Sequence, residues 1–270
     1  MNQAPIGIFD SGLGGLTVAR AVFERLPNDS TVYFGDTARV PYGPKSPDTV
    51  RRYSREILDW LLAQRVKAVI IACNTSTAHA LESLRQAAPV PVIGVVEPGA
   101  RAAVRESDGG PVGVIGTAGT VASGAYRRAI HAIAPGIRVV EQACPLLVPF
   151  VEEGWFDHPA AELVARDYLA PLMAEGIRSL VLGCTHYPLL KPLLRRVLGE
   201  DVALIDSAEE TATAAAHALR EIGLEASPDQ HPTHRFAVSD DPARFVTVGS
   251  RFLGARLGEA ELVSLTSDEC

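Results

Sequence analysis

Ile6-Gly7-Ile8-Phe9-Asp10-Ser11-Gly12 reads as a buried strand, glycine second, that runs into a small polar turn opening a helix. The same pattern returns at Val112-Gly113-Val114-Ile115-Gly116-Thr117-Ala118. Each copy is followed by a second apolar run that ends in a cysteine. Val69-Ile70-Ile71 leads into Ala72-Cys73-Asn74-Thr75, with Cys73 66 positions after Gly7. Leu180-Val181-Leu182 leads into Gly183-Cys184-Thr185-His186, with Cys184 71 positions after Gly113. A repeat of this length points to two related α/β halves, each with one thiol in a matching local setting.

Between these anchors strand-like and helix-like segments alternate. Residues 31–34 read as a strand, with helices expected over 14–26 and 47–64. In the second of these Val50, Tyr53, Ile57, Trp60 and Leu61 fall at three- and four-residue steps, and Ser46-Pro47 supplies an N-cap followed by proline at the first helical position. Residues 67–72 and 90–95 read as further buried strands. Strand, helix, strand repeated in this way gives parallel strands with helices on both faces. The expected fold class is therefore α/β, as two related doubly wound parallel-sheet domains with the active site in the cleft between them. A break near Glu97-Pro98-Gly99 and a return near Asp206-Ser207 assign residues 1–97 and 207–270 to the first domain and 98–206 to the second.

The 270 residues suffice for about two domains and for a core that buries roughly three quarters of the unfolded surface. With 47% apolar, 21% charged and 6% aromatic residues, the composition is that of an ordinary globular protein. The 25 Lys and Arg against 32 Asp and Glu leave a net charge of −7, and basic residues cluster only in pairs such as Arg51-Arg52, Arg127-Arg128 and Arg195-Arg196. A nucleic-acid partner is not expected. Met1-Asn2-Gln3-Ala4-Pro5 has no positive charge and leads straight into a strand, which reads against a signal peptide. No apolar run approaches the roughly 20 residues that span a bilayer, so no membrane partner is expected. The expected location is cytoplasmic, where the four cysteines stay thiols. None are in C-x-x-C spacing, and Cys144 and Cys270 are read as bystanders.

A residue just past the carboxyl end of a buried strand stands where open α/β sheets build their sites. One cysteine there reads as a small buried hydrophobe. Two in matching positions, each followed by hydroxyl or amide residues that open a helix, read as paired acid/base groups. Such a pair suits removal of a proton from one face of a carbon and its return to the other. The helix N-termini are expected to favour thiolate, bringing each pKa down from about 8.5 toward the working pH. His186 either shares a proton with Cys184 or caps the following helix.

Asp10-Ser11-Gly12-Leu13-Gly14-Gly15 offers backbone N–H groups to an anion. It lacks the G-x-G-x-x-G spacing of dinucleotide sites, and Asp10 would repel phosphate, which favours an amino group or a catalytic network. The loop Asp36-Thr37-Ala38-Arg39-Val40-Pro41-Tyr42-Gly43 lies at the ligand edge of the sheet or is a plain surface connection. Cys73, Cys184, His186 and Asp10 are possible zinc ligands without the usual paired spacing. By composition alone, Glu152-Glu153 is a solvated helix end.

Taken together these strings resemble the glutamate racemases, cofactor-independent amino-acid racemases of cell-wall synthesis. The resemblance runs over most of the chain. It is carried by Phe9-Asp10-Ser11-Gly12-Leu13-Gly14-Gly15-Leu16-Thr17-Val18, by Tyr33-Phe34-Gly35-Asp36 with the rest of the loop to Gly43, and by Ala72-Cys73-Asn74-Thr75. It continues through Gly94-Val95-Val96-Glu97-Pro98-Gly99-Ala100, Cys144-Pro145-Leu146-Leu147-Val148-Pro149 and Leu182-Gly183-Cys184-Thr185-His186-Tyr187-Pro188-Leu189-Leu190. One departure is Ser76-Thr77, where the family pattern has Ala-Ser; it touches the helix start and not the thiol.

The resemblance implies interconversion of L- and D-glutamate without cofactor or metal, supplying D-glutamate for peptidoglycan and so for cell shape. The expected assembly is a homodimer. The resemblance further implies that Cys73 and Cys184 are the acid/base thiols, with Asp10 assisting near Cys73, and Glu152 and His186 near Cys184. It implies a substrate site of Asp10, Ser11, Tyr42, Gly43, Asn74, Thr75, Thr117, Thr120, Thr185 and His186. No lysine stands in a site string to form a Schiff base, so N–H groups and hydroxyls must carry the charge of the α-carbanion. Two other readings stay open. A sister aspartate or hydantoin racemase would share both thiols, although the Tyr42-Gly43 and Cys184-Thr185-His186-Tyr187 strings favour glutamate. A two-lobed protein that binds a small anion without turnover would be indifferent to thiol alkylation.

Overall fold

Runs of small and branched residues form the strands in a computed structural model that describes residues 3–255 and 257–265. Cys270 lies outside the described residues. The first strands are β1 (Ile6–Asp10), β2 (Thr31–Gly35), β3 (Ala68–Ile71) and β4 (Val92–Gly94). A second set follows as β5 (Val112–Gly116), β6 (Val139–Ala143), β7 (Ser179–Gly183) and β8 (Ala203–Ile205), and β9 (His234–Val238) and β10 (Ala260–Leu262) come last. The strands make two sheets, ordered β10-β9-β2-β1-β3-β4 and β6-β5-β7-β8, and every pairing is parallel.

The repeat in the sequence is thus a repeat of topology. The run β2-β1-β3-β4 has the same order as β6-β5-β7-β8. In the first sheet Phe9 of β1 lies beside Ile71 of β3, and in the second Ile115 of β5 lies beside Leu182 of β7. Both cysteines therefore leave equivalent strands at the carboxyl edge.

The helices are α1 (Leu16–Arg25), α2 (Pro47–Ala63), α3 (Asn74–Ala87), α4 (Val96–Ser107), α5 (Ala118–Ser123) and α6 (Ala125–Ile133), then α7 (Leu147–Glu152), α8 (Pro159–Ala174), α9 (Lys191–Leu198), α10 (Ser207–Glu221) and α11 (Pro242–Leu253). Alternate residues of a strand point to opposite faces, and both faces here are covered. Val69 and Ile71 pack with Ile57, Leu58 and Leu61 of α2 and with Ala80 and Leu84 of α3, while Ala68 and Ile70 join α1 and α10 on the other face. In the second sheet Val112, Val114 and Val181 pack on α4 and α6, and Ile115, Leu180 and Leu182 face α8 and α9. A strand buried on both sides needs apolar residues at every position, which is why these strands are continuous runs.

One core cluster spans both sheets without a break. It takes in Leu16, Val18 and Val22 of α1, Ala208, Ala212, Ala215 and Ala216 of α10, and Leu169 and Leu172 of α8. The small residues of α10 let it approach α1 closely, and each fully buried Leu or Val contributes about 1.5–3 kcal/mol. The two halves are joined by this shared core as well as by the two chain crossings. No helix among the described residues is long and apolar enough to cross a membrane.

After Cys73 the expected helix forms directly, but after Cys184 the chain makes a 3-10 turn, Tyr187–Leu190, and α9 begins only at Lys191. Pro188 and Pro192 have no N–H to give, so the first turn cannot build the ordinary helical ladder. At the opposite edge of the first sheet Lys67, just before β3, is ion-paired with Asp29, both side chains 3% exposed or less. Lys67 Nζ also donates to the Leu224 carbonyl at 2.9 Å, beyond the end of α10.

Candidate active site

The carboxyl edges of the two sheets face a common pocket of about 50 Å³. The first half lines it with Ser11 and Gly12 after β1, Val40, Pro41, Tyr42 and Gly43 after β2, and Cys73, Asn74 and Thr75 after β3. The second half adds Thr117 after β5, Val148 and Glu152 from α7, and Cys184, Thr185 and His186 after β7. Both thiols thus open into one pocket. Asp10 and Thr120, also named from the sequence, stand one layer behind the lining.

Cys73 is the N-cap of α3, where its Sγ accepts the Ser76 N–H at 3.4 Å and donates to Ser11 Oγ at 3.6 Å. Asp10 lies buried beneath, its Oδ2 accepting the Gly12 N–H at 3.0 Å and its Oδ1 without a hydrogen-bond partner among the described residues. Burial raises the Asp10 pKa against the opposing pull of His186 and of the Gly15, Gly12 and Ser11 N–H groups. The Cys73 thiol is pushed up to about 11, first by burial and then by Asp10, while the bonds to Ser76 and Ser11 work the other way and lose. This corrects the expectation of a lowered pKa: one helix N-terminus does not outweigh the loss of water around a buried thiolate. Cys73 here holds its proton.

Cys184 has different company. Its Sγ is 3.8 Å from His186 Nδ1, and His186 Nε2 is 3.0 Å from Glu152 Oε1. Burial alone would lower the His186 pKa, but its bonds to Cys184 and Glu152, and their charges, carry it up to about 10. Glu152 is held below the usual carboxylate range, chiefly by His186. The pair is therefore imidazolium and carboxylate, beside the Cys184 sulfur. Of the two glutamates read as a solvated helix end, only Glu153 is exposed; the short α7 ends with Glu152 turned into the pocket.

Hydroxyls join the halves across the site. Thr75 Oγ1 is 2.9 Å from Thr117 Oγ1 and 3.2 Å from Thr120 Oγ1, and the Gly119 N–H donates to the Gly43 carbonyl at 2.9 Å. Tyr126 Oη donates to Asn74 Oδ1 at 2.6 Å, a tie the sequence does not disclose because Tyr126 reads as core on an amphipathic helix. Asp36, fully buried, takes hydrogen bonds from Tyr42, from Arg39 Nε at 2.7 Å and from Ser239 Oγ at 2.8 Å, which holds the Tyr42–Gly43 loop. Val148, missed from the sequence, supplies an apolar wall. Neither lysine nor arginine lines the pocket among the described residues. Among the described residues no three His, Cys, Asp or Glu side chains are grouped as a metal ion would need.

Gly14 shows how closely the halves approach. A Cβ there would collide with Thr185 Oγ1 and would stand 2.6 Å from His186 Nδ1. Gly14→Ala is expected to push the Thr185–His186 loop away and lower turnover roughly a hundredfold, the scale of a 1 Å misplacement in an active site. Steady-state kinetics on folded protein would check this, and near-normal turnover would contradict it.

Residues 16–215 match the Asp/Glu/Hydantoin racemase family. The chain is 53% identical over 264 residues to a glutamate racemase of Geobacter metallireducens, covering 98% of each. It superposes on the glutamate racemase isoform RacE1 of Bacillus anthracis with a TM-score of 0.94 at 40% identity, over 98% of this chain and 99% of that one. A Francisella tularensis glutamate racemase, solved in complex with D-glutamate, gives a TM-score of 0.92 at 39% identity over the same shares. Likeness of this depth along nearly the whole length shows that the chain belongs to the Asp/Glu/hydantoin racemases, among the glutamate racemases, and is an amino-acid racemase, an isomerase.

Proposed function

We propose that the chain interconverts L- and D-glutamate by a two-base transfer at Cα, with Cys73 and Cys184 as the two acid/base groups and no cofactor. The observation that carries this reading is that the thiols reach one pocket from equivalent strands of opposite halves. Glutamate as the substrate is supported by the D-glutamate complex of the Francisella relative.

In the L to D direction Cys184 as thiolate takes the α-proton, and Cys73 returns a proton to the opposite face. The high pKa of Cys73 fits that starting state. Charge that develops on the substrate carboxylate is met by fixed N–H and hydroxyl donors of Ser11, Asn74, Thr75, Thr117 and Thr185 in a small, largely buried pocket. Tyr42 and Gly43 belong to the substrate loop, and Thr120 supports Thr75 and Thr117. The His186 imidazolium, paired with Glu152, faces the Cys184 thiolate in this direction; for the reverse direction it gives its proton to Cys184, and Asp10 takes that of Cys73. The reading extends to a cytoplasmic homodimer that supplies D-glutamate for peptidoglycan.

The test is polarimetry on purified protein with L-glutamate and nothing added. Rotation is expected to decay to zero, with aspartate slower by at least about tenfold, because a misplaced side-chain carboxylate leaves its donors unpaired. In D2O the newly formed enantiomer is expected to carry deuterium while recovered substrate stays protiated. Equal rates on both acids, or no turnover of glutamate, would overturn the reading.

A further inference from the structure

A second cavity, of about 280 Å³, adjoins the pocket and shares Gly12, Val40 and Glu152 with it. Its outer wall is the start of α11, with Asp240, Asp241 and Arg244. Arg244 is the only lysine or arginine among the described residues on either lining. Its backbone N–H donates to Asp241 Oδ1 at 2.9 Å, which fixes the turn that carries it, and its side chain is exposed.

The balance of charge along this route is unfavourable without that residue. Free glutamate carries a net charge of −1, and the cavity presents Glu152, Asp240 and Asp241. The His186 charge, deeper in, is paired with Glu152. An anion on its way to the pocket would therefore meet uncompensated carboxylates were it not for Arg244, whose charge also adds to the pull on Glu152. We propose that this cavity is the antechamber through which an acidic amino acid reaches the pocket, and that Arg244 is the cation that draws it in. The proposal rests on the glutamate reading above. A fixed cation at the entrance raises the local concentration of the anion, so its effect falls on KM and fades as salt screens it.

The experiment compares wild type with Arg244→Gln, Arg244→Lys and Arg244→Glu on L-glutamate at about 20 mM and about 500 mM salt, with Arg25→Gln, exposed at the end of α1, as control. Arg244→Gln is expected to raise KM about fourfold at low salt, one unit charge a few ångströms from the path. The loss should be larger for Arg244→Glu, absent for Arg244→Lys and Arg25→Gln, and gone at high salt. Three results would overturn the proposal: no change in KM at low salt, a loss that persists at high salt, or a loss confined to kcat with a shifted pH profile, which would make Arg244 a partner of Glu152 alone. Failure of the wild type to turn over glutamate overturns the function itself and appears before any variant is compared.

Discussion

Cys73→Ala and Cys184→Ala are each expected to lower racemisation by about 10²–10⁴-fold in both directions, the range that a positioned acid or base contributes. Each direction uses one thiol as base and the other as acid, so neither direction survives the loss of either. The variants should nevertheless differ in what they still do. With Cys73 removed, Cys184 keeps access to the face from which L-glutamate loses its proton, so L-glutamate should slowly exchange its α-proton for deuterium without inverting. With Cys184 removed, the exchange should pass to D-glutamate. Proton NMR of each enantiomer in D2O reads this directly. Near-normal racemisation by either variant, or exchange of both enantiomers by one thiol, would rule out the two-base mechanism for this chain.

The second large effect lies far from the pocket. Lys67→Met is expected to cost about 3–5 kcal/mol, because it leaves Asp29 buried without its cation. The Leu224 carbonyl loses a hydrogen bond in the same stroke. Replacing both partners by apolar residues should restore most of the stability, since two charges no longer have to be kept out of water. Urea unfolding of the single and double variants measures both. A single variant as stable as wild type would show that the pair is not held apart from solvent, and kcat per folded molecule should be unaffected because Lys67 sits at the sheet edge opposite the site.

Where a residue's setting is decided by its neighbours in the chain, the sequence alone discloses it. The strands around Ile8, Ile70 and Leu182 are legible because burial on both faces leaves no polar position. The helix Pro47–Ala63 is legible because Ser46 Oγ accepts the Thr49 N–H at 3.3 Å, as its Ser-Pro start implies. The two cysteines are legible because a repeated strand pattern puts them in equivalent places. What stays hidden is set across the fold. The upward shift of Cys73 depends on how completely the fold buries it and on Asp10, 63 positions away in the chain. Glu152 and Arg244 come from a six-residue helix and from a helix start near the end of the chain; Asp241-Pro242 marks that start, but no local pattern shows that either side chain lines a cavity. The strand Ala260–Leu262 is short and half-exposed at a sheet edge, with no apolar run to announce it.

The strand order sets a timetable for the chain as it is made. All four strands of the second sheet fall within residues 112–205, so each has its partners soon after it emerges. The first sheet does not: β2 waits for β9, 203 positions later at the bonded pair Thr31 and His234. The half begun first is finished last. Until then the Thr31–Gly35 edge, apolar and fully buried in the finished protein, presents unpaired N–H and C=O groups to its surroundings. An open apolar edge is a template for foreign strands, and during synthesis it is on this edge, more than anywhere in the inserted half, that protection from aggregation must act.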